Sequence, residues 1–232
     1  MKKPHTRYYI QTTLVVLNTI GFVVVAIPVL WGLLCHPGAL LPFLMGGMSG
    51  IWWQWGRPRS VWSVLLHEVG HGLFSEISGD PVHKIMARAS VPNAEDQRLG
   101  FCQSGGTASG VFRHCWILAP YFFPLSTALL LLIRLTLGES VPPLFDAMLG
   151  FSLGAHLVSH SSQTWAGIRR AKNNSLGGHV FSWFGTPFSV AFISMAHLMI
   201  VPSILLIVHS GWREAGRYFL AGQGFWWNFI LM

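Results

Sequence analysis

Between Tyr8 and Gly56 the chain carries no aspartate, glutamate, lysine or arginine. A charge-free run of that length exceeds the roughly 20 apolar residues that cross a hydrocarbon layer as a helix. Hydrophobic residues make up 52% of the chain and charged residues 10%, against about 25% charged in water-soluble domains. The expectation is an all-α integral membrane protein, a polytopic, multi-pass helix bundle in a cell or inner membrane. A length of 232 residues suits a single membrane domain spanning 1–232. The formal charge of +7 is scattered between apolar segments. It forms no basic stripe interleaved with aromatics, so no nucleic-acid partner is expected. Cys35, Cys102 and Cys115 form no close pair, which points away from a disulfide framework or a cysteine-based metal site.

Residues 9–35 read as a first, retained span ended by Cys35-His36-Pro37-Gly38. Residues 39–55 are apolar but short and rich in Gly and Trp, which suits a re-entrant or interfacial segment. A helix is expected from about Ser60 to Gly79, then a polar region over 80–113 that reads as a short β hairpin or irregular strands. Further spans are expected at about 114–133, 141–165 and 180–209, followed by an amphipathic, aromatic tail. The positive-inside rule puts Lys84, Arg88, Arg98 and Arg113 on the same side as Arg169, Arg170 and Lys172.

The 60–79 helix contains His67-Glu68-Val69-Gly70-His71. Residues four apart share a helix face, so both imidazoles can reach one ion. Glu68 comes one residue after the first ligand, where it reaches a metal-bound water rather than the metal. A catalytic zinc takes three protein ligands and keeps a fourth position open for water, whose pKa it lowers towards about 7. Glu68 then serves as the base that takes the proton and the acid that returns it to the leaving amine. The flanking residues, Val61 to Leu66 and Gly72 to Phe74, are mostly apolar. Ionisable groups in such a setting cost several kcal/mol unless paired or metal-bound, which marks them as functional. The small Gly70 suggests a close approach by another helix or by substrate.

The stretch Leu66-His-Glu-Val-Gly-His-Gly-Leu73 resembles the HExGH helix of the site-2 protease family of membrane-embedded zinc metallopeptidases. Ala119-Pro-Tyr-Phe-Phe-Pro-Leu125 is similar to a stretch that follows the hairpin in short bacterial members. The likeness covers residues 60–165, a metalloprotease-like core. It implies zinc-dependent cleavage of a peptide bond in or beside a transmembrane segment of a substrate protein. It also implies that the 80–113 strands hold an unwound substrate by edge pairing.

Family members take their third ligand from a later Leu-Asp-Gly motif, which this chain lacks. Asp146, in Pro142-Pro-Leu-Phe-Asp-Ala147, is the nearest likeness, but it lies roughly 28 Å from the inner end of its helix. His67 and His71 lie at roughly 18 and 12 Å, and His156 at roughly 14 Å. Depth therefore favours His156 as third ligand, with His160 one turn away on the same face, and His179 and Asp146 as the other candidates. The expectation is a zinc endopeptidase in the lipid bilayer acting on membrane-protein substrates. The rival reading is an inactive membrane scaffold or metal-binding protein that keeps the protease fold.

Overall fold

The computed structural model describes residues 20, 27, 31, 40–55, 57, 60–88, 100–105, 117–137, 143–172 and 186–231. In chain order these form α1 (Leu41–Gln54), α2 (Val61–Ile77), β1 (Val82–Ala87) and β2 (Gly100–Ser104). A helical segment over 117–122 follows, then α3 (Leu125–Leu137), α4 (Pro143–Lys172) and α5 (Thr186–Leu231).

The helix that carries His67 and His71 is defined at both ends by local chemistry. Ser60 caps α2, its hydroxyl accepting a hydrogen bond from the Ser63 amide at 3.1 Å. At the other end Gly79 adopts φ +75°. Its amide reaches the Glu76 carbonyl at 2.9 Å while the Asp80 amide reaches that of Ser75 at 3.0 Å. This pair of bonds is the Schellman arrangement, which a glycine in the left-handed region allows. The same turn fastens the hairpin to the helix. Ser104 donates to the buried Asp80 carboxylate at 3.0 Å, and the Val82 amide donates to the Glu76 carboxylate at 2.7 Å.

β1 and β2 pair antiparallel, from Val82 opposite Ser104 to Ala87 opposite Gly100, with an irregularity between Val82 and Lys84. The sheet lies against α2 through glycine. A Cβ on Gly72 would stand 3.0 Å from Ile85 Cδ1 and 3.8 Å from Cys102 Sγ.

α1 and α4 approach until backbone meets backbone. Gly46 and Gly50 on α1, and Gly150 and Gly154 on α4, are each four apart and so share a face. A methyl on Gly46 would overlap the Ala147 carbonyl, one on Gly50 that of Phe151, one on Gly150 that of Phe43, and one on Gly154 that of Gly47. Small residues at this spacing let helices pack closely. The adjoining core joins Phe43, Leu149, Leu153, Ile204 and Val208. A second cluster joins Leu118, Ala119, Phe122 and Ile193. Fully buried side chains such as Leu118 and Leu149 each contribute about 2 kcal/mol of transfer free energy.

The expected polytopic, multi-pass bundle is corrected. Among the described residues one stretch, Ser189–Val208 within α5, is long and apolar enough to cross a membrane. α1, α2 and α3 have 14, 17 and 13 residues, about 21, 26 and 20 Å of helix against a hydrocarbon core of about 30 Å. α4 has 30 residues but interrupts its apolar sequence with Asp146, His156, His160, Gln163 and Arg169. Among the described residues the apolar content is thus distributed over short helices and exposed faces rather than over several full spans. The expected 114–133 span is two pieces, broken at residues 123–124 by Pro124, which has no amide hydrogen to continue a helix. The 39–55 segment is a continuous helix, and α5 runs on through the expected aromatic tail. Apart from Ile20, Ile27 and Trp31, the expected first span at 9–35 lies outside the described residues.

Candidate metal centre and its carboxylate

One turn of α2 puts the His67 and His71 rings 4.9 Å apart at an interplanar angle of 85°. Two imidazoles bound to one zinc at 2.0–2.1 Å have ring centres about 5 Å apart. The pair therefore stands at ligand spacing. Helical geometry imposes this directly, and the segment Ala119–Phe122 helps to hold it. Tyr121 packs edge-on to His67 at 5.2 Å, and the Pro120 ring lies over Gly70. A Cβ on Gly70 would meet Pro120 at 3.5–3.6 Å, an ordinary contact. The close approach expected at Gly70 is found instead at Gly72 and Gly100.

Glu68 is 7% exposed and sits beneath the first residue of β2. A Cβ on Gly100 would stand 2.7 Å from both Glu68 Cγ and Oε1, and 2.8 Å from Val64 Cγ1. Burial pushes the Glu68 carboxyl up to about 7. Gly100→Ala is expected to displace this carboxylate. Any catalytic rate that depends on Glu68 should fall at least about tenfold in that variant, since misplacing a catalytic group by 1 Å can cost about a hundredfold. An unchanged rate in steady-state kinetics would show that the strand does not set the position of Glu68.

α4 adds two more imidazoles. His160 lies nearly parallel to His67, 5.7 Å between ring centres and 7° between planes. His156 is 8% exposed and lies beyond it, 4.0 Å from His160 and 5.9 Å from His197 of α5. The structure thus brings His160 beside His67, while His156 sits one ring further from α2. Among the described residues no three His, Cys, Asp or Glu side chains converge as a metal-holding set. His160 must rotate out of its parallel stance to turn a nitrogen towards an ion held by His67 and His71. What the structure offers an ion at this place is two α2 imidazoles 4.9 Å apart, a third imidazole close by, and a buried carboxylate beside the first.

Asp146 is committed elsewhere. It pairs with Arg134 at 2.7 Å, and the two side chains are 13% and 15% exposed. His179 lies outside the described residues. A polar seam missed in the sequence links α2 and α4, where Ser63 meets Ser159 at 3.5 Å and Gln163 donates to Ser159 at 3.2 Å. Its signal was present: His156, Ser159, His160 and Gln163 recur at helical spacing along one face of α4. Comparison of the chain with known family models, curated proteins and solved structures found no match.

Proposed function

We propose that the chain is a zinc metalloendopeptidase that hydrolyses peptide bonds in or near membrane-embedded segments of substrate proteins. The observation that carries this reading is the pair His67 and His71 at 4.9 Å with the buried Glu68 between them in sequence. The resemblance of Leu66–Leu73 to the site-2 protease helix supports it. So does the exterior of the molecule, where Met48, Trp52, Trp55 and Trp62 are each more than 70% exposed, an apolar surface suited to lipid.

His67 and His71 hold the ion, which when bound supplies an acidified water and a Lewis acid for the scissile carbonyl. Glu68 takes the proton from the attacking water as the new C–O bond forms. It then delivers that proton to the amide nitrogen as the C–N bond breaks. An extended substrate pairs with an open edge of the two-stranded sheet, close to Gly100 and therefore to Glu68. A second reading, a membrane scaffold that binds metal or none and has lost turnover, is favoured by the lack of three convergent donors among the described residues.

Metal analysis of the purified full chain, run beside cleavage of a model transmembrane substrate in liposomes, separates the two. The peptidase reading expects His67→Ala to lose one equivalent of zinc together with cleavage. Cleavage that survives this loss refutes the zinc mechanism, and absence of cleavage in a zinc-loaded wild type decides for the scaffold.

A further inference from the structure

Two histidines outside the α2 pair share an unusual state. The Nε2 atoms of His156 and His197 are both shut off from solvent and have no hydrogen-bond partner. Buried ring nitrogens are nearly always satisfied, so each such atom calls for an explanation. The other nitrogen of each ring is anchored. His197 Nδ1 lies 2.8 Å from the Ile193 carbonyl, which only an N–H can satisfy, so its Nε2 carries the lone pair. His156 hydrogen-bonds the Phe122 backbone. With Nε2 unpartnered this bond uses Nδ1, and because it favours the protonated ring it is donated by the imidazole. His156 too presents a lone pair at Nε2.

Two acceptors therefore sit in one buried spot, with ring centres 5.9 Å apart and planes tilted by 41°. Neither can donate to the other while both keep their backbone bonds. A backbone-anchored N–H opposite a bare nitrogen is the arrangement that metal-ligating histidines adopt, since the anchor fixes tautomer and ring orientation. At 5.9 Å the ring centres stand about 1 Å wider than two imidazoles on one zinc, so an ion between them is held at a wide angle or draws the rings together. His160, 4.0 Å from His156, is a third imidazole within reach of the same space.

We propose that His156 of α4 and His197 of α5 form a second cation site, distinct from the His67–His71 pair, for a borderline or soft d10 ion, Zn2+ or Cu+. The donors are neutral nitrogens with no carboxylate among them, which suits zinc or copper and excludes magnesium and calcium. The site ties α5 to α4 and does not require the chain to be a peptidase.

The test is metal titration of the chelator-stripped full chain, with Zn2+ in one arm, Cu+ under anaerobic conditions in another, and Mg2+ as the control. Wild type is expected to bind two equivalents, His197→Phe one, His67→Ala one, and the double variant none. Which of Zn2+ and Cu+ fills the second site is read from the arm in which His197→Phe loses an equivalent. A His197→Phe variant that binds as many equivalents as wild type in both arms overturns the proposal, whatever the fate of cleavage. A wild type that binds only the His197-dependent equivalent overturns the peptidase reading and leaves this one standing. X-ray absorption on metal-loaded His67→Ala gives a readout that does not depend on how the His197 variant folds. At least two imidazoles in the metal's shell are expected, and an oxygen-only shell overturns the site.

Discussion

Glu68→Gln is expected to keep its zinc and to cleave a model transmembrane substrate about 100- to 10,000-fold more slowly than wild type. Glutamine matches glutamate in size, so the packing under Gly100 survives the change. The imidazoles of His67 and His71 are untouched, and metal content should not move. What is lost is the capacity to accept a proton, because an amide oxygen is too weak a base to take one from water. Carboxylate and amide also differ in hydration, and the site is already desolvated, with Glu68 only 7% exposed. The measurement pairs zinc stoichiometry with turnover in detergent and again in liposomes. Full turnover in the zinc-loaded variant ends the assignment of Glu68 as base and acid. Loss of zinc together with turnover would instead make Glu68 a determinant of metal affinity.

The second large effect concerns stability. Gly150→Val is expected to lower the unfolding free energy by about 3 kcal/mol, at the upper end of what overpacking a core costs. A Cβ at this position would overlap the Phe43 carbonyl, which belongs to the backbone of α1 and cannot rotate away as a side chain does. The helices must separate, and separation opens the contacts at Gly46, Gly50 and Gly154 together. Gly216→Ala is the matched control. It lies on α5 with nothing within 4 Å of an added Cβ, and it should stabilise the helix by up to about 1 kcal/mol. Denaturant unfolding in detergent measures both. A Gly150→Val protein as stable as wild type would mean that α1 and α4 do not pack at backbone contact.

Much of the helix that carries His67 and His71 was legible because its signals are local. Ser60 as cap, Gly79 as terminator and the four-residue interval between His67 and His71 depend on neighbours in sequence, and the helix follows them. The hairpin was legible for the same reason, from polar and β-branched residues after a glycine turn. The multi-pass architecture failed because hydropathy counts apolar residues without asking what covers them. Gly46 and Gly50 read in sequence as part of a re-entrant or interfacial segment, and the role they share with Gly150 and Gly154 exists only once two helices are side by side. Asp146 drew notice as the nearest likeness to the missing Leu-Asp-Gly motif, but its carboxylate is paired with Arg134, on another helix twelve residues earlier. Depth arithmetic favoured His156 over His160 because it measures position along an axis. It cannot resolve which ring, on the same face, is nearer to α2. Gly100 gave no signal at all, since its importance is set by the side chain of Glu68 beneath it.

Arg134 reaches in two directions, with Nε on the Asp146 carboxylate and Nη2 on the Val208 carbonyl at 2.8 Å. Along α4 the distance from Asp146 to His156 is ten residues, about 15 Å of rise. Along α5, from Val208 back to His197, it is eleven residues, about 16.5 Å. The two helices run in opposite directions, and these nearly equal intervals join the guanidinium at one end to the His156–His197 contact at the other. Sliding α5 by one residue shifts it about 1.5 Å and turns it about 100°, which carries His197 off the face that meets His156. A single cation far from the histidines thereby acts as a register pin, holding the ladder of imidazoles in step across the two helices.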